Sequence, residues 1–204
     1  MIPVDWQLKI DGGQPVIIIG AHDALSALIA YTVGCDGIWW SSLGISLSSG
    51  VPDRSIINPT DVMLRIRTGV LGSRLPHIVD GDAGYGGIEQ LTHAFATYQQ
   101  VGVCGISIED YLHPKVSSLV HNISRTLCSI DEMCGRIKAL RDNFGTNPCL
   151  IARTESIIVN GSIDEALYRA SKYAESGCDA IIVHNNTSDV APLWEFSRRW
   201  QDKT

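Results

Sequence analysis

The chain has 204 residues, 45% hydrophobic and 19% charged, enough for one substantial core and too well mixed for disorder. Acidic residues outnumber basic ones by 22 to 16, a formal charge of -6 that argues against a general nucleic-acid binder with its clustered basic face. No apolar run approaches the ~20 residues of a membrane-spanning helix, and Met1-Ile-Pro-Val-Asp-Trp6 lacks the basic and apolar regions of a secretory signal, so one cytoplasmic domain is expected.

The first apolar run, 16–20, is rich in β-branched residues and reads as a strand, with a helix after Asp23. A second strand at 37–42 is followed by a helix after Thr60, a good cap residue. Strand 77–82 leads into a helix whose apolar positions, Ile88, Leu91, Phe95, Tyr98 and Val101, alternate spacings of three and four. Strand 103–110 is separated by a long connection, 111–128, from a helix carrying Met133, Ile137, Leu140 and Phe144. Strand 150–154, a helix with Ile163, Ala166, Leu167 and Ala170, strand 180–184 and a last helix over 191–200 complete the series. Residues 129–132 and 162–165 both read Ser-Ile-Asp-Glu, a capping-box pattern. Most of the strands are continuous apolar runs, as parallel strands buried on both faces are. The six cysteines form no Cys-x-x-Cys pair, so they read as buried structural thiols.

Six strand-helix units fit an open doubly wound sheet or most of an eight-fold barrel. The first strand is followed by Gly20-Ala-His-Asp23 and no Gly-x-Gly-x-x-Gly, which removes the main support for a dinucleotide fold. At least five strand ends carry polar or ionisable residues, and in a barrel those ends converge on one mouth. A TIM (β/α)8-type barrel with about six β-α units present is therefore expected.

The chemistry concentrates there. In Val79-Asp-Gly-Asp-Ala-Gly-Tyr-Gly-Gly87 two carboxylates at i and i+2 on an extended chain point to one side, and Glu109 and Asp110 arrive at the next strand end. Crowded like charges raise one another's pKa unless a cation compensates, and oxygen-only ligands favour Mg2+. An Asp-Gly turn with capping acids accounts for the same residues equally well. The connection 111–128, with His113, Lys115, Ser117, Ser118, His121 and Asn122, has the length of a lid, with a merely disordered connection as the alternative. Arg153 and His184 close two strands and suit a carboxylate or phosphoryl group, with a salt bridge from Arg153 to Glu155 as the structural alternative. Trp39 and Trp40 suit a wall or core.

Taken in order, Gly20-Ala-His-Asp-Ala-Leu-Ser26, Gly37-Ile-Trp39, Gly50-Val-Pro-Asp53, Asp80-Gly-Asp-Ala-Gly-Tyr-Gly86, Ile108-Glu-Asp110, Pro114-Lys-Val116, Ile151-Ala-Arg-Thr-Glu155 and His184 resemble the phosphoenolpyruvate mutase family of the isocitrate lyase superfamily. The resemblance implies a Mg2+ enzyme that moves a phosphoryl group between carbon and oxygen, interconverting phosphonopyruvate and phosphoenolpyruvate in phosphonate biosynthesis. It implies Asp80 as direct metal ligand, with Asp53, Asp82 and Glu109 acting through waters. Trp39, Ser41, Ser42 and Leu43 would line the substrate pocket, Arg153 and His184 would hold the phosphoryl group, and Lys115, Ser117 and Ser118 would lie on the lid. Homo-oligomers that exchange C-terminal elements are implied as well.

Three departures matter. Ser117 stands where the mutases have an asparagine, a step towards phosphonopyruvate hydrolases, so transfer to water is the alternative activity. Ser42 replaces a usual glycine. No cysteine lies between 105 and 127, which disfavours the carbon-carbon lyases. A full barrel takes about 250 residues, so the last two β-α units are expected to be missing, and a non-catalytic assembly subunit is the reading from another class.

Overall fold

The computed structural model describes residues 1–120 and 123–200; His121 and Asn122 of the proposed lid lie outside the described residues. Six strands form one all-parallel sheet in the order β1 (Ile18–Ala21), β2 (Gly37–Trp40), β3 (His77–Asp80), β4 (Gly105–Glu109), β5 (Cys149–Thr154) and β6 (Ala180–Val183). The helices are α1 (Val4–Asp11), α2 (Ala24–Thr32), α3 (Ser42–Ser48), α4 (Pro59–Val70), α5 (Ile88–Gln100), α6 (Ile130–Phe144), α7 (Ser156–Asn160), α8 (Ile163–Glu175) and α9 (Ala191–Arg199). The architecture is a half-barrel of the TIM type, with β1 and β6 as its edges among the described residues.

Side chains alternate between the two faces of the sheet, and this sorts the core into layers. Ile38, Trp40, Val79, Ile106, Ile108, Leu150 and Ala152 pack outward against the helices. Trp39, Ile78, Cys149, Ile151, Ala180 and Ile182 fill the concave side. The same alternation carries Asp80, Glu109, Arg153 and His184 inward at the strand ends. The adjacent tryptophans are split by it: Trp39 belongs to the concave face, while Trp40 is fully buried and donates its indole N–H to His77 Nδ1 at 3.0 Å.

Several sequence expectations are corrected. The helix expected after Thr60 starts at Pro59, capped by Asn58, whose side chain accepts from the Asp61 amide; proline at the first helical position has no amide to leave unpaired. Ser129 and Ser162 do cap their helices, but Glu132 and Glu165 turn away to Arg136 and Arg169, so each capping box is only half made. The reciprocal box is instead at Asp23 and Ser26. β6 is half-buried along its length instead of buried on both faces, because it is an edge strand.

Three further helices, α1, α3 and α7, are not among those expected from the sequence. α3 and α7 are short helices of seven and five residues after strand ends, and α1 plugs the start of the sheet. Its Trp6 is 4% exposed and donates its indole N–H to the Asp36 carbonyl at 2.8 Å. The fit requires glycine at 37, since a Cβ there would lie 2.3 Å from the Trp6 ring. Among the described residues no helix is long and apolar enough to cross a membrane.

Candidate active site

The strand ends and the lid enclose a cavity of about 210 Å3 lined by Trp39, Ser41, Ser42, Leu43, Asp53, Asp80, Lys115, Ser117, Ser118, Leu119, Arg153 and His184. Eleven of these twelve are the residues singled out in the sequence; only Leu119 was not. Asp82 and Glu109, also singled out, are buried behind this lining.

Asp80 ends β3, and the glycine-rich turn after it does not continue as a strand. Asp82 and Tyr85 adopt φ of +49° and +62°. The two carboxylates are therefore gathered by a turn, and the expected extended i and i+2 arrangement does not exist. The Asp82 amide donates to Asp80 Oδ1 at 3.2 Å, which tightens that turn.

Lys115 reaches into the acidic cluster from the lid. Its ammonium lies 2.5 Å from Asp82 Oδ1, 3.1 Å from Asp53 Oδ2 and 2.9 Å from Ser42 Oγ. The Ser42 hydroxyl in turn lies 3.2 Å from Asp80 Oδ2, so it bridges the lysine and that carboxylate. Burial works against the charge on Lys115, but Asp82, Asp80, Glu109 and Asp53 outweigh it and hold the lysine protonated. Burial likewise pushes Asp82 up to about 6 despite its lysine partner. Glu109, 1% exposed, is raised well above the usual carboxylate range by burial, with Lys115 and Arg153 opposing.

The lid is held down at several points that sequence reading missed. The Lys115 amide donates to Ser55 Oγ at 3.0 Å, the Ser117 amide to the Asp53 carbonyl at 3.3 Å, and Asn186 Nδ2 to the Ser118 carbonyl at 2.9 Å. Arg125 grips the Ser117 carbonyl at 2.6 Å and the Val120 carbonyl as well. Serine and asparagine are common in loops, so nothing marked these positions in advance.

At the end of β5, Arg153 forms the salt bridge to Glu155 that was the structural alternative, yet it also lines the cavity. Its Nη2 is 3.6 Å from Glu109 Oε2. His184 Nδ1 is 2.9 Å from Glu155 Oε2 and 2.7 Å from Arg153 Nη2, so the buried Glu155 joins both residues. Burial would raise Glu155, but the His184 hydrogen bond and the Arg153 charge prevail and lower it.

Among the described residues no three His, Cys, Asp or Glu side chains are gathered into a metal-binding group of their own, and the Lys115 ammonium contacts both Asp53 and Asp82. The donor chemistry nonetheless fits a hard dication completed by waters or substrate oxygens. Among the described residues Asp53 and Asp82 pair with Lys115, and Glu109 and Glu155 with Arg153. Both Glu109 carboxylate oxygens are buried without a hydrogen-bond partner.

A family profile described as phosphoenolpyruvate phosphomutase matches residues 8–203. The phosphoenolpyruvate phosphomutase of Streptomyces hygroscopicus is 34% identical over 191 residues, 92% of this chain and 60% of that protein. The crystal structure of phosphoenolpyruvate phosphomutase from Streptomyces platensis subsp. rosaceus superposes with a TM-score of 0.89 at 36% identity, over 97% of this chain and 69% of that one. A phosphonopyruvate hydrolase crystallised with oxalate and Mg2+ gives 0.87 at 28% identity, over 97% and 68%. The chain spans about 60% of the length of the curated mutases it matches. With nearly every residue of the chain aligned and the same half-barrel recovered, the chain belongs to the phosphoenolpyruvate phosphomutase family.

Proposed function

We propose that this chain carries the active site of a Mg2+-dependent phosphoenolpyruvate phosphomutase, interconverting phosphonopyruvate and phosphoenolpyruvate. The observation that supports it best is the lining of one cavity, which brings Arg153 and His184 together with Asp53, Asp80 and the lid lysine Lys115.

In this reading Arg153 and His184 hold the phosphoryl oxygens. The amides of Ser42 and Leu43, first in α3 and without intrahelical acceptors, hold the oxygens of the pyruvyl end. Asp80 would hold the metal directly, with Asp53, Asp82 and Glu109 acting through waters. When bound, Mg2+ would supply positive charge to the enolate and phosphoryl oxygens. The P–C bond breaks with its electron pair retained as the enolate double bond, and the enolate oxygen then takes the phosphorus; no proton moves. The group transferred is loose and metaphosphate-like, so the residues contribute by positioning and charge. Ser117, Ser118 and Leu119 of the lid cover the cavity and exclude water.

Ser117 favours a second reading, phosphonopyruvate hydrolysis, because a small hydroxyl leaves room for water beside the phosphoryl group. There water takes the phosphorus and the enolate carbon gains a proton, giving phosphate and pyruvate. Phosphorus NMR of the protein with phosphonopyruvate and Mg2+ separates the readings: phosphoenolpyruvate supports the mutase, and inorganic phosphate the hydrolase. An unchanged substrate signal in an intact, folded chain would instead support a non-catalytic assembly role. The activity is proposed for a closed barrel. The free edges of β1 and β6, and the exposed Leu25, Leu28 and Ile29 of α2 beside β1, are where further β-α units or an exchanging neighbour in a homo-oligomer would pack.

A further inference from the structure

A second buried network lies behind the Arg153 wall. Asp110 is 0% exposed and uses both carboxylate oxygens. Oδ1 accepts from the Glu155 amide at 2.8 Å. Oδ2 accepts from the Thr154 hydroxyl at 2.9 Å, the Tyr173 hydroxyl at 2.8 Å and Arg169 Nη1 at 3.3 Å. Tyr173 and Arg169 both belong to α8, on the outer layer of the half-barrel.

The target of this network is one peptide. Glu155 is where the chain leaves β5, with φ of -101° and ψ of 10°, a sparsely populated conformation that turns its carboxylate to Arg153 and His184. An amide donated to a buried carboxylate is a strong, directional restraint on that turn. The network also reaches the lid. The Cys128 amide donates to the Asp110 carbonyl at 2.8 Å, and Arg169 Nη1 donates to the Cys128 carbonyl at 3.1 Å, just past the bridge between Tyr111 and Leu127 that closes the lid's base.

We propose that Asp110, held by Tyr173 and Arg169, is a positioning residue: it orients Glu155 and through it Arg153 and His184, while fixing the base of the lid. The proposal rests on the reading of Arg153 and His184 as the pair that holds the substrate's phosphoryl end. Burying an acid for stability alone is poor economy, since apolar replacements of buried ion pairs are often neutral or stabilising. What this arrangement adds is precise geometry at the two side chains facing the cavity.

The test uses phosphonoacetate, which carries a phosphonate and a carboxylate without a reactive carbonyl, titrated by calorimetry with Mg2+ present at a temperature where circular dichroism shows each variant folded. Tyr173→Phe removes one donor and keeps the volume; Asp110→Asn weakens the whole network. The control is Asp179→Asn, at the other end of the sheet, where Asp179 binds Arg141 at 2.5 Å and the Leu150 amide at 2.8 Å. Tyr173→Phe is expected to raise the phosphonoacetate Kd about fivefold, and Asp110→Asn about tenfold or more, while Asp179→Asn lowers the melting temperature with Kd unchanged within twofold. The KM for phosphonopyruvate should rise in parallel. Kd values within twofold of wild type for both folded network variants would overturn the proposal. If wild type binds phosphonoacetate but turns over no phosphonopyruvate, the enzyme reading fails while the Kd comparison still decides the positioning role.

Discussion

The ammonium of Lys115 lies 2.5 Å from Oδ1 of Asp82, a residue 33 positions earlier, and both side chains are buried beneath the lid. The pair fastens the lid to the turn after β3, and its removal has a calculable direction. Lys115→Met would leave Asp82 and Asp53 without their cation, at a cost of about 3 kcal/mol at neutral pH. The loss should shrink towards pH 5 as Asp82 takes up a proton, and urea unfolding at both pH values would reveal it. Turnover should fall at least about 100-fold.

Asp80→Ala should remove metal-dependent turnover of phosphonopyruvate, roughly 1000-fold or more, because it deletes the one carboxylate assigned to hold the metal directly. Phosphorus NMR with and without Mg2+ measures this directly. Unchanged turnover would refute the assignment of Asp80.

Ser117→Asn should shift the products towards phosphoenolpyruvate and away from inorganic phosphate, since the larger amide fills space beside the phosphoryl group. The ratio of the two phosphorus signals at equal substrate consumption is the readout. A ratio that stays constant would mean that water access is set elsewhere on the lid.

His77 supplies a pH dependence remote from the lid. Burial pushes its pKa below the ordinary 6.5, with the Ser73 carbonyl opposing, and the neutral ring accepts the Trp40 N–H. The unfolded chain therefore binds this proton more readily than the folded one. Stability is free of the penalty above about pH 6.5 and declines as pH falls from there towards the depressed folded value. Denaturation of wild type and His77→Gln across pH 5 to 7.5 should give a shallower acid decline for the variant.

Gly37→Ala should destabilise the chain by roughly 1–3 kcal/mol, because the new methyl meets the Trp6 ring and neither can move without loosening the plug. Thermal unfolding checks it, and phosphonopyruvate turnover per folded molecule should stay unchanged.

The sequence by itself determined the order of strands and long helices, because apolar runs and three-four periodicities are local properties. It also singled out the polar residues at the strand ends, among them Asp80, Glu109, Arg153 and His184, because they interrupt apolar runs that otherwise read as buried on both faces. Motif order likewise pointed to a mutase-like barrel with about six of its eight β-α units. Tertiary structure decided what the residues do to one another. That Asp80 and Asp82 meet through a left-handed turn, that Lys115 lies between Asp53 and Asp82, and that Glu155 joins Arg153 to His184 depend on pairs from different elements. The same holds for Asp110 and α8, and for α1, whose place rests on Trp6 finding the gap at Gly37. Propensity and periodicity act over a few residues, whereas these contacts arise only once the parallel sheet has brought distant strand ends together.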